Sequence, residues 1–227
     1  MKLINCDLGE CLTPNPDEVI MPLIDVANIA CGGHAGDIVS MAKTVELAKQ
    51  YNVKIAAHPS YPDKENFGRI SQNYDDKTLF FLIQKQVGKL MSICQHFEMS
   101  IDYLKPHGAL YHDMLRSPST MEVICKVIMS FETKLSLIVQ ADSKAEHITP
   151  LTRHYGIELI SEAFADRAYK GNQLIPRSEQ GALIEKAEDI ITQYHSFTTR
   201  PAFSVDTVCF HSDHQPSVAA LQMLKAV

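Results

Sequence analysis

The sequence predicts an α/β fold, a single domain over residues 1–227 built as a parallel (β/α) barrel of about seven strands. Three observations predict it. Short apolar runs rich in β-branched residues alternate with longer segments of helical period, which implies a parallel sheet with helical crossovers. The runs are almost continuously apolar, as expected for strands covered on both faces. Their even spacing favours a closed barrel over an open doubly wound sheet, and no linker, low-complexity tract or internal repeat divides the chain.

The strands are predicted from the apolar runs, and the helices from apolar residues that recur every three or four positions. In the segment 38–51, Met41, Val45 and Ala48 form such a stripe, and Asp37 in front of it is predicted to be the N-cap. The predicted strands are 2–6, 24–31, 53–57, 101–105, 135–140, 157–161 and 205–210. The predicted helices are 38–51, 75–97, 119–131, 143–155, 179–195 and 216–226.

Composition and charge exclude several functional classes. The content of 45% hydrophobic and 21% charged residues is ordinary for a globular protein. A formal net charge of −6 with no long basic run argues against binding to nucleic acid or an anionic membrane. Asp7 and Glu10 lie where a signal peptide would need its apolar stretch. The six cysteines show no CxxC pair or zinc-ribbon spacing, so we expect reduced thiols and a cytoplasmic location.

Polar and titratable side chains gather where the predicted strands end. The segment "KPHGALYHD" at 105–113 places Lys105, His107 and Tyr111 directly after one strand. Because the carboxyl ends of parallel strands meet at one face of the fold, such groups are expected to converge on a single pocket. A pocket of His, carboxylate and Lys side chains is typical of hydrolytic or metal-assisted chemistry. The strand-end groups are Asn5, Asp7, Glu10, Asn28, His34, His58, Lys105, His107, Tyr111, Glu162, Asp166, Arg167 and His211.

Each of these residues also has a purely structural interpretation. A lone histidine such as His58 is usually a hydrogen-bonded structural residue, and Asp166 next to Arg167 could form a local ion pair. Strand-end polar groups could simply satisfy loop backbone. We assign His112 and His214 no role, because each lies one residue past a better candidate. The histidines on predicted helices, which we assign to the surface, are His96, His147, His154 and His195.

Several motifs in order make the chain similar to a known family. They are "NCDLGE" at 5–10, "NIACGGHAGD" at 28–37, "AHPSYPD" at 57–63 followed by "FGR", "KPHGALY" at 105–111, "EAFADRAY" at 162–169, "LIPR" at 174–177 and "HSD" at 211–213. Together they cover almost the whole chain and resemble the LamB/YcsF family, which provides one of the three components of a bacterial 5-oxoprolinase. The departures are Leu3, Gly33, Ile70 and Ser212, where the family commonly has other residues, and they bear on fine substrate fit.

The resemblance implies a barrel related to glycoside hydrolase and sugar-deacetylase folds, and ATP-dependent opening of the 5-oxoproline lactam to L-glutamate. The chain has no G-x-x-x-x-G-K-[ST] motif, since Gly88-Lys89 is followed by Leu90. ATP is therefore expected to bind to the partner subunits B and C. Related deacetylase-like barrels hold a divalent metal ion through Asp and His, so a metal ion is a possible cofactor here. A homo-oligomer is also possible.

The mechanism we expect uses Asp7 or Glu10 as general base for water. Lys105 and Arg167 would bind the substrate carboxylate or a phosphorylated oxygen, and imidazoles would donate to developing charge, relay protons or hold a metal ion. The predicted catalytic residues are Asp7, Glu10, His34, His58, Lys105 and His107. The predicted substrate-binding residues are Asn5, Asn28, Tyr111, Asp166, Arg167 and His211. The predicted metal ligands are Asp7, His34 and His58.

Two rival functions remain open at this point. The first is a metal-dependent deacetylase-like hydrolase that acts alone and without ATP. The second is a non-catalytic subunit that binds a small lactam for a partner enzyme, and it would tolerate substitution of Asp7 and Glu10.

Overall fold

The computed structural model describes residues 2–141, 145–199 and 204–225. The barrel strands are β1 Leu3–Leu8, β2 Val26–Ala30, β3 Lys54–His58, β4 Tyr103–Leu104, β5 Ser136–Gln140, β6 Leu159–Phe164 and β9 Thr207–Phe210. These seven strands are all parallel and close in the order β1-β2-β3-β4-β5-β6-β9. The predicted fold class is therefore confirmed. A separate antiparallel hairpin, β7 Tyr169–Lys170 with β8 Gln173–Leu174, follows β6.

Helices connect the strands and pack around the barrel. They are α1 Asp17–Ile20 with a 3-10 turn at Met21–Leu23, α2 Ile38–Tyr51, α3 Asp76–His96, α4 Gly108–Arg116, α5 Pro118–Met129, α6 Ile148–Tyr155, α7 Ala187–Thr199 and α8 Gln215–Lys225. The predicted N-cap Asp37 is confirmed. Its carboxylate accepts a hydrogen bond from Ser40 N at 2.9 Å, while Ser40 Oγ accepts one from Asp37 N at 2.8 Å, and this reciprocal pair starts α2 at the predicted residue.

Successive strand residues face two different environments. In β3, Ile55 and Ala57 belong to the large apolar core that the helices share, whereas Ala56 belongs to a small separate core. That small core consists of Val26, Ala56, Tyr103 and Ile138, with Ile160 packed against it. Because side chains alternate along a strand, this second set faces the barrel interior. The interior is filled by apolar side chains at this level, and polar residues follow toward the carboxyl ends.

Helix α4 was not predicted. Pro106 and Gly108 at its start are loop signals, and Gly108 has a φ of +56° that favours glycine. Tertiary packing decides the conformation here, because Leu110 and Met114 are fully buried in the large core. The segment that carries the "KPHGALYHD" cluster is therefore a strand end followed directly by a helix.

The predicted helix 179–195 begins later than expected, at Ala187. The segment before it is extended, because Leu183 pairs with Arg167 in an isolated antiparallel bridge and Ile184 N donates to Asp166 O at 2.9 Å. The predicted helix 143–155 begins at Ile148, and residues 142–144 lie outside the described residues. In the described part of the chain, no helix has the length and apolar character to cross a membrane.

Candidate active site

The barrel interior holds a network of polar side chains above its apolar layer. Asn28 Nδ2 donates to Asn5 Oδ1 at 2.7 Å and to Asp7 Oδ1 at 2.8 Å. Asp7 and Asn28 are direct partners in the β1–β2 register, so adjacent strands place them side by side. Lys105 Nζ lies 3.1 Å from Asp7 Oδ1 and 2.8 Å from Glu162 Oε1, across the barrel. One cation thus joins carboxylates from β1 and β6.

Lys105 is almost fully buried, with 3% of its surface exposed. Burial alone would lower its pKa, but Asp7, Cys209 and Glu162 raise the pKa of Lys105 well above its usual value. The amine therefore stays cationic and saturated by its protein partners. Glu162 is held from its other side as well, because Tyr111 Oη donates to Glu162 Oε2 at 3.1 Å.

Two histidines meet head to head beside this network. His58 Nδ1 lies 2.7 Å from Lys105 O, His107 Nε2 lies 2.9 Å from Phe67 O, and the two remaining nitrogens lie 3.0 Å apart. Each backbone carbonyl requires an N–H, so three hydrogen bonds among these four ring nitrogens need three protons and one positive charge. Asp7 Oδ2 lies 3.5 Å from His58 Nε2 and supplies a counter-charge.

Burial decides which of the two rings donates in the hydrogen bond between them. Burial, and then the proximity of His58, lower the pKa of His107 to about 3, so His107 is neutral at pH 7 and accepts at Nδ1. His58 Nε2 is then the donor in the hydrogen bond between the rings, and Asp7 Oδ2 lies beside it.

Glu10 and His34 form a second buried pair. Glu10 Oε1 lies 3.1 Å from His34 Nε2, and the His34 ring stacks on His107 with centroids 3.6 Å apart. Burial and then the nearby rings of His107 and His58 lower the pKa of His34 well below its usual value, so the ring is neutral. Its Nδ1 atom is buried without a hydrogen-bond partner among the described residues.

The two candidate bases differ in pKa. Burial would raise the pKa of Asp7, but His58 and Lys105 hold the pKa well below its usual value. For Glu10, burial, with the charges of Asp7 and Asp213, outweighs the nearby cation Arg69 and raises the pKa well above the usual value. A carboxyl whose pKa is shifted toward neutrality is the better suited to exchange protons during a reaction at pH 7.

A buried cluster in this site could hold a metal ion. One possible ligand atom from each member of the cluster lies within 4.8 Å of the others, and the cluster consists of Glu10, His34, His58 and His107. The predicted ligands His34 and His58 belong to it, whereas Asp7 belongs to a second group with Cys209 and His211.

The donor set fits such an ion at one particular place. The backbone carbonyls of Lys105 and Phe67 each hold one ring nitrogen of His58 and His107, so the opposite nitrogens face each other, and both would offer lone pairs to a metal ion once the proton between them is released. Glu10 Oε1 lies 3.8 Å from His107 Nδ1. His34 is stacked within 8° of parallel to His107, so its lone pairs do not converge with those of its neighbour.

Asp166 and Arg167 do not form the local ion pair that the sequence suggested. Asp166 Oδ1 lies 2.8 Å from His211 Nδ1, and its other oxygen accepts from His211 N at 3.1 Å. Burial would raise the pKa of Asp166, but His211 lowers it to about 2. Arg167 instead donates to Ile175 O at 2.7 Å and to Ala182 O at 3.4 Å. Asp166 can reach His211, the residue that follows β9, because β6 and β9 are adjacent strands.

A cavity of about 730 Å³ opens over these groups. Of the predicted site residues, the structure brings to its wall Asp7, Glu10, His58, Lys105, His107, Tyr111, Arg167 and His211. Four others are buried behind the wall in contact with lining residues, and these are Asn5, Asn28, His34 and Asp166. Lining residues to which we assigned no role include Phe67, Arg69, His112, Gln140, Arg177 and Asp213. Arg69, Arg177 and Asp213 belong to the quoted motifs, so a signal for them was present, whereas Gln140 and His112 had none beyond their place near a strand end.

The family model described as LamB/YcsF family matches residues 3–227. The chain belongs to the LamB/YcsF family. The 5-oxoprolinase A subunit of Vibrio vulnificus (strain CMCP6) is 39% identical over 235 aligned positions, covering 97% of this chain and 94% of the relative. The corresponding 5-oxoprolinase chain of Pseudomonas fluorescens (strain Pf0-1) is 38% identical and covers 98% and 95%. A crystal structure of a lactam utilization protein from Thermus thermophilus superposes with a TM-score of 0.87 at 29% identity, covering 100% of this chain and 97% of that one.

Membership of LamB/YcsF agrees with the resemblance found in the motifs. The relatives are named as subunits, so their own enzymes consist of more than one chain. The residues that line the cavity of this LamB/YcsF barrel form its candidate active site.

Proposed function

We propose that this LamB/YcsF chain is the A subunit of an ATP-dependent 5-oxoprolinase and opens the lactam of 5-oxoproline to L-glutamate. The observation that carries the proposal is the likeness to curated 5-oxoprolinase A subunits over 97% of the chain. The buried acid–base cluster at the strand ends supports a hydrolytic role for this subunit. Partner subunits B and C would supply the nucleotide site in the cytoplasm.

The substrate explains why a nucleotide is needed. A five-membered lactam has little ring strain and a resonance-stabilised amide, so its uncoupled hydrolysis is slow. Transfer of the γ-phosphoryl group of ATP to the carbonyl oxygen makes the ring carbon electrophilic and releases ADP. One water then adds to this carbon and the C–N bond breaks with protonation of the amine, which gives γ-glutamyl phosphate. A second water releases phosphate and glutamate.

Within this sequence of steps, Glu10 is proposed as the general base for water. It lines the cavity, and its raised pKa suits proton uptake. Asp7 has the opposite role, because its low pKa keeps it ionised as the counter-charge of Lys105 and His58. His58 and His107 also line the cavity, and they are proposed to polarise the lactam carbonyl through the proton that the two rings share.

The remaining predicted residues are proposed to bind substrate or hold these groups in place. Asn5 and Asn28 position Asp7, and Tyr111 positions Glu162. Asp166 orients His211, which lines the cavity and can contact the lactam directly. A metal ion, if bound, would be held by His58, His107 and Glu10, and it would supply Lewis-acid polarisation of the carbonyl.

The test is reconstitution. The purified chain is incubated with 5-oxoproline and ATP, with and without its B and C partners, and glutamate and ADP are measured. We expect glutamate to form in the complete mixture and to disappear when ATP or any one of the three protein components is omitted. Absence of glutamate from the complete mixture would refute the proposal.

A metal-dependent hydrolase that acts alone is the second candidate, and the buried Glu10–His34–His58–His107 cluster favours it. It predicts that the isolated chain, loaded with a divalent metal ion, cleaves acetylated sugars without ATP. Full loss of oxoprolinase activity on removing the partners, with no deacetylase activity in the same preparation, would eliminate this candidate.

A further inference from the structure

Four arginines line the cavity, and three of them reach solvent. They come from four separate loop or helix positions, and they are Arg69, Arg116, Arg167 and Arg177. We call this set the arginine rim. Asp213 is the carboxylate that contacts it, at 2.7 Å from Arg69 Nη2 and 3.0 Å from Arg177 Nη2. Two arginines therefore share one counter-ion.

Arg167 is the buried member of the rim, with 4% of its surface exposed. Its guanidinium donates to the neutral backbone carbonyls of Ile175 and Ala182. Asp166 is engaged by His211, and no carboxylate lies within ion-pair distance of Arg167 in the described part of the chain. Burying a cation without a counter-ion is costly, because the guanidinium loses its hydration and gains no charge partner. Such a group is expected where an anionic ligand completes the pairing.

The charges of the cavity are segregated by depth. Deep in the barrel, Lys105 faces two carboxylates, Asp7 and Glu162, so that end has no surplus of positive charge. The rim has four guanidinium groups, and Asp213, which pairs with two of them, is the carboxylate within ion-pair distance of the rim among the described residues, so the rim carries an excess of three positive charges over this carboxylate. The whole chain has a formal net charge of −6, so the positive mouth is a local feature and not a property of the surface.

We propose that the arginine rim is a phosphoryl-binding subsite, so that the barrel accepts the lactam in its phosphorylated form. This inference rests on the proposed function and names the species that reaches the site. The carboxylate of 5-oxoproline carries one negative charge and a phosphoryl dianion carries two, and their sum matches the excess on the rim. The lactam carboxylate alone would leave two positive charges unmatched.

The chemistry and size of the site agree with this ligand. Guanidinium groups bind phosphoryl oxygens through paired N–H donors, and Arg167 keeps free donors because only two of its N–H groups are engaged by carbonyls. The cavity of about 730 Å³ lies in the upper part of the range for small-molecule sites, roughly 300–1,000 Å³. A five-membered lactam would occupy a small part of it, which leaves room for a phosphoryl group.

The first test measures binding directly. Inorganic phosphate is titrated into the full-length chain by isothermal titration calorimetry, and the variants are Arg167→Gln and Arg177→Gln. Arg153→Gln is the matched control, since Arg153 is exposed on α6 and lies outside the cavity. We expect wild type and the control to bind phosphate equally, and each rim variant to bind about tenfold more weakly. Equal affinity in all four proteins, or no binding to wild type at millimolar phosphate, would overturn the proposal. If Arg167→Gln fails to fold, Arg177→Gln, whose side chain reaches solvent, gives the same test.

The second test separates this inference from the proposed function. With the B and C subunits present, ADP and glutamate are measured together. Loss of the phosphoryl subsite should let the partners consume ATP while less glutamate forms, so the ratio of ADP to glutamate rises in Arg167→Gln and stays at the wild-type value in Arg153→Gln. An unchanged ratio and rate in both rim variants would refute the subsite and leave the oxoprolinase assignment intact. A wild-type mixture that makes no glutamate refutes the assignment itself.

Discussion

His58 Nε2 and His107 Nδ1 lie 3.0 Å apart, and a backbone carbonyl fixes the opposite nitrogen of each ring. Neither ring can turn away without losing a buried hydrogen bond. The two nitrogens therefore share a proton, and we predict that a metal ion can take its place.

The metal prediction follows from this pair. Addition of Zn²⁺ or Mn²⁺ to chelator-treated protein should raise the thermal midpoint, with a stabilisation of about 2.7 kcal/mol when the ion is present at a hundred times its Kd. His107→Gln should remove this shift because it deletes one of the two facing nitrogens. His154→Gln, at an exposed position on α6, serves as control. Scanning fluorimetry and elemental analysis measure the effect, and an identical shift in both variants would contradict the site.

Glu10→Gln should separate catalysis from stability. The change preserves shape and removes a buried carboxyl whose pKa is already raised by burial. We therefore expect the thermal midpoint to stay the same or rise slightly. Turnover of the reconstituted enzyme should fall by about 10²–10⁴-fold because the general base is lost. Glu46→Gln, at an exposed position on α2, is the control. Near-normal turnover in Glu10→Gln would transfer the role of base to another residue.

Asp166→Asn should destabilise the fold in a pH-dependent way. The folded pKa of Asp166 is about 2, below the unfolded value of about 3.9, so ionised Asp166 stabilises the folded chain above pH ~4. The stabilisation amounts to about 2–3 kcal/mol and is lost as the pH falls from about 4 through 2. Urea unfolding of wild type and variant at pH 7 and at the lowest pH where both fold measures it. A difference that does not shrink in acid would mean that packing, not charge, supports the His211 contact.

Gly108→Ala should damage the site by displacing the backbone next to His107. Gly108 has a φ of +56°, and an added Cβ would lie 2.5 Å from Gly68 O, which accepts a hydrogen bond from Ala109 N. Gly156 is the matched control, because its φ is +67° but an added Cβ meets nothing within 4 Å. Gly156→Ala should cost about 1–2 kcal/mol from backbone strain alone. Gly108→Ala should cost roughly a further 1–3 kcal/mol from the clash.

The consequence for function distinguishes these two glycines. Displacing the backbone at Gly108 moves its neighbour His107, so Gly108→Ala should also lower turnover, whereas Gly156→Ala should leave turnover unchanged. Chemical denaturation and the coupled glutamate assay measure the two effects. Equal losses of stability in the two variants would show that the Gly68 contact yields without cost.

The barrel and the edge that carries the site were predictable from the sequence for a physical reason. Strands and helices can be told apart in the sequence because their apolar residues recur with different periods. Parallel strands place their carboxyl ends at one face of the barrel, so residues at the strand ends are expected to be neighbours. The placement of Asp7, His58 and Lys105 around one cavity follows from that rule alone. Whether these residues act in catalysis stays a prediction.

The pairings inside the site were not predictable, because they depend on three-dimensional register. Lys105 meets Glu162 only because β4 and β6 lie on the same closed barrel with β5 between them. Adjacency in sequence was misleading for Asp166 and Arg167, whose side chains point to different partners. Helix α4 was hidden by the glycine and proline at its start, although its buried Leu110 and Met114 follow helical spacing.

The apolar layer of Val26, Ala56, Tyr103 and Ile138 has a consequence for traffic through the protein. This layer closes the barrel beneath the polar network, so a ligand that enters past the arginine rim must also leave past the rim. Under the proposed function, the reactant would enter and glutamate and phosphate would leave through the same opening. A partner subunit that docked over this opening to deliver the reactant would have to withdraw, or leave a gap, before the next cycle.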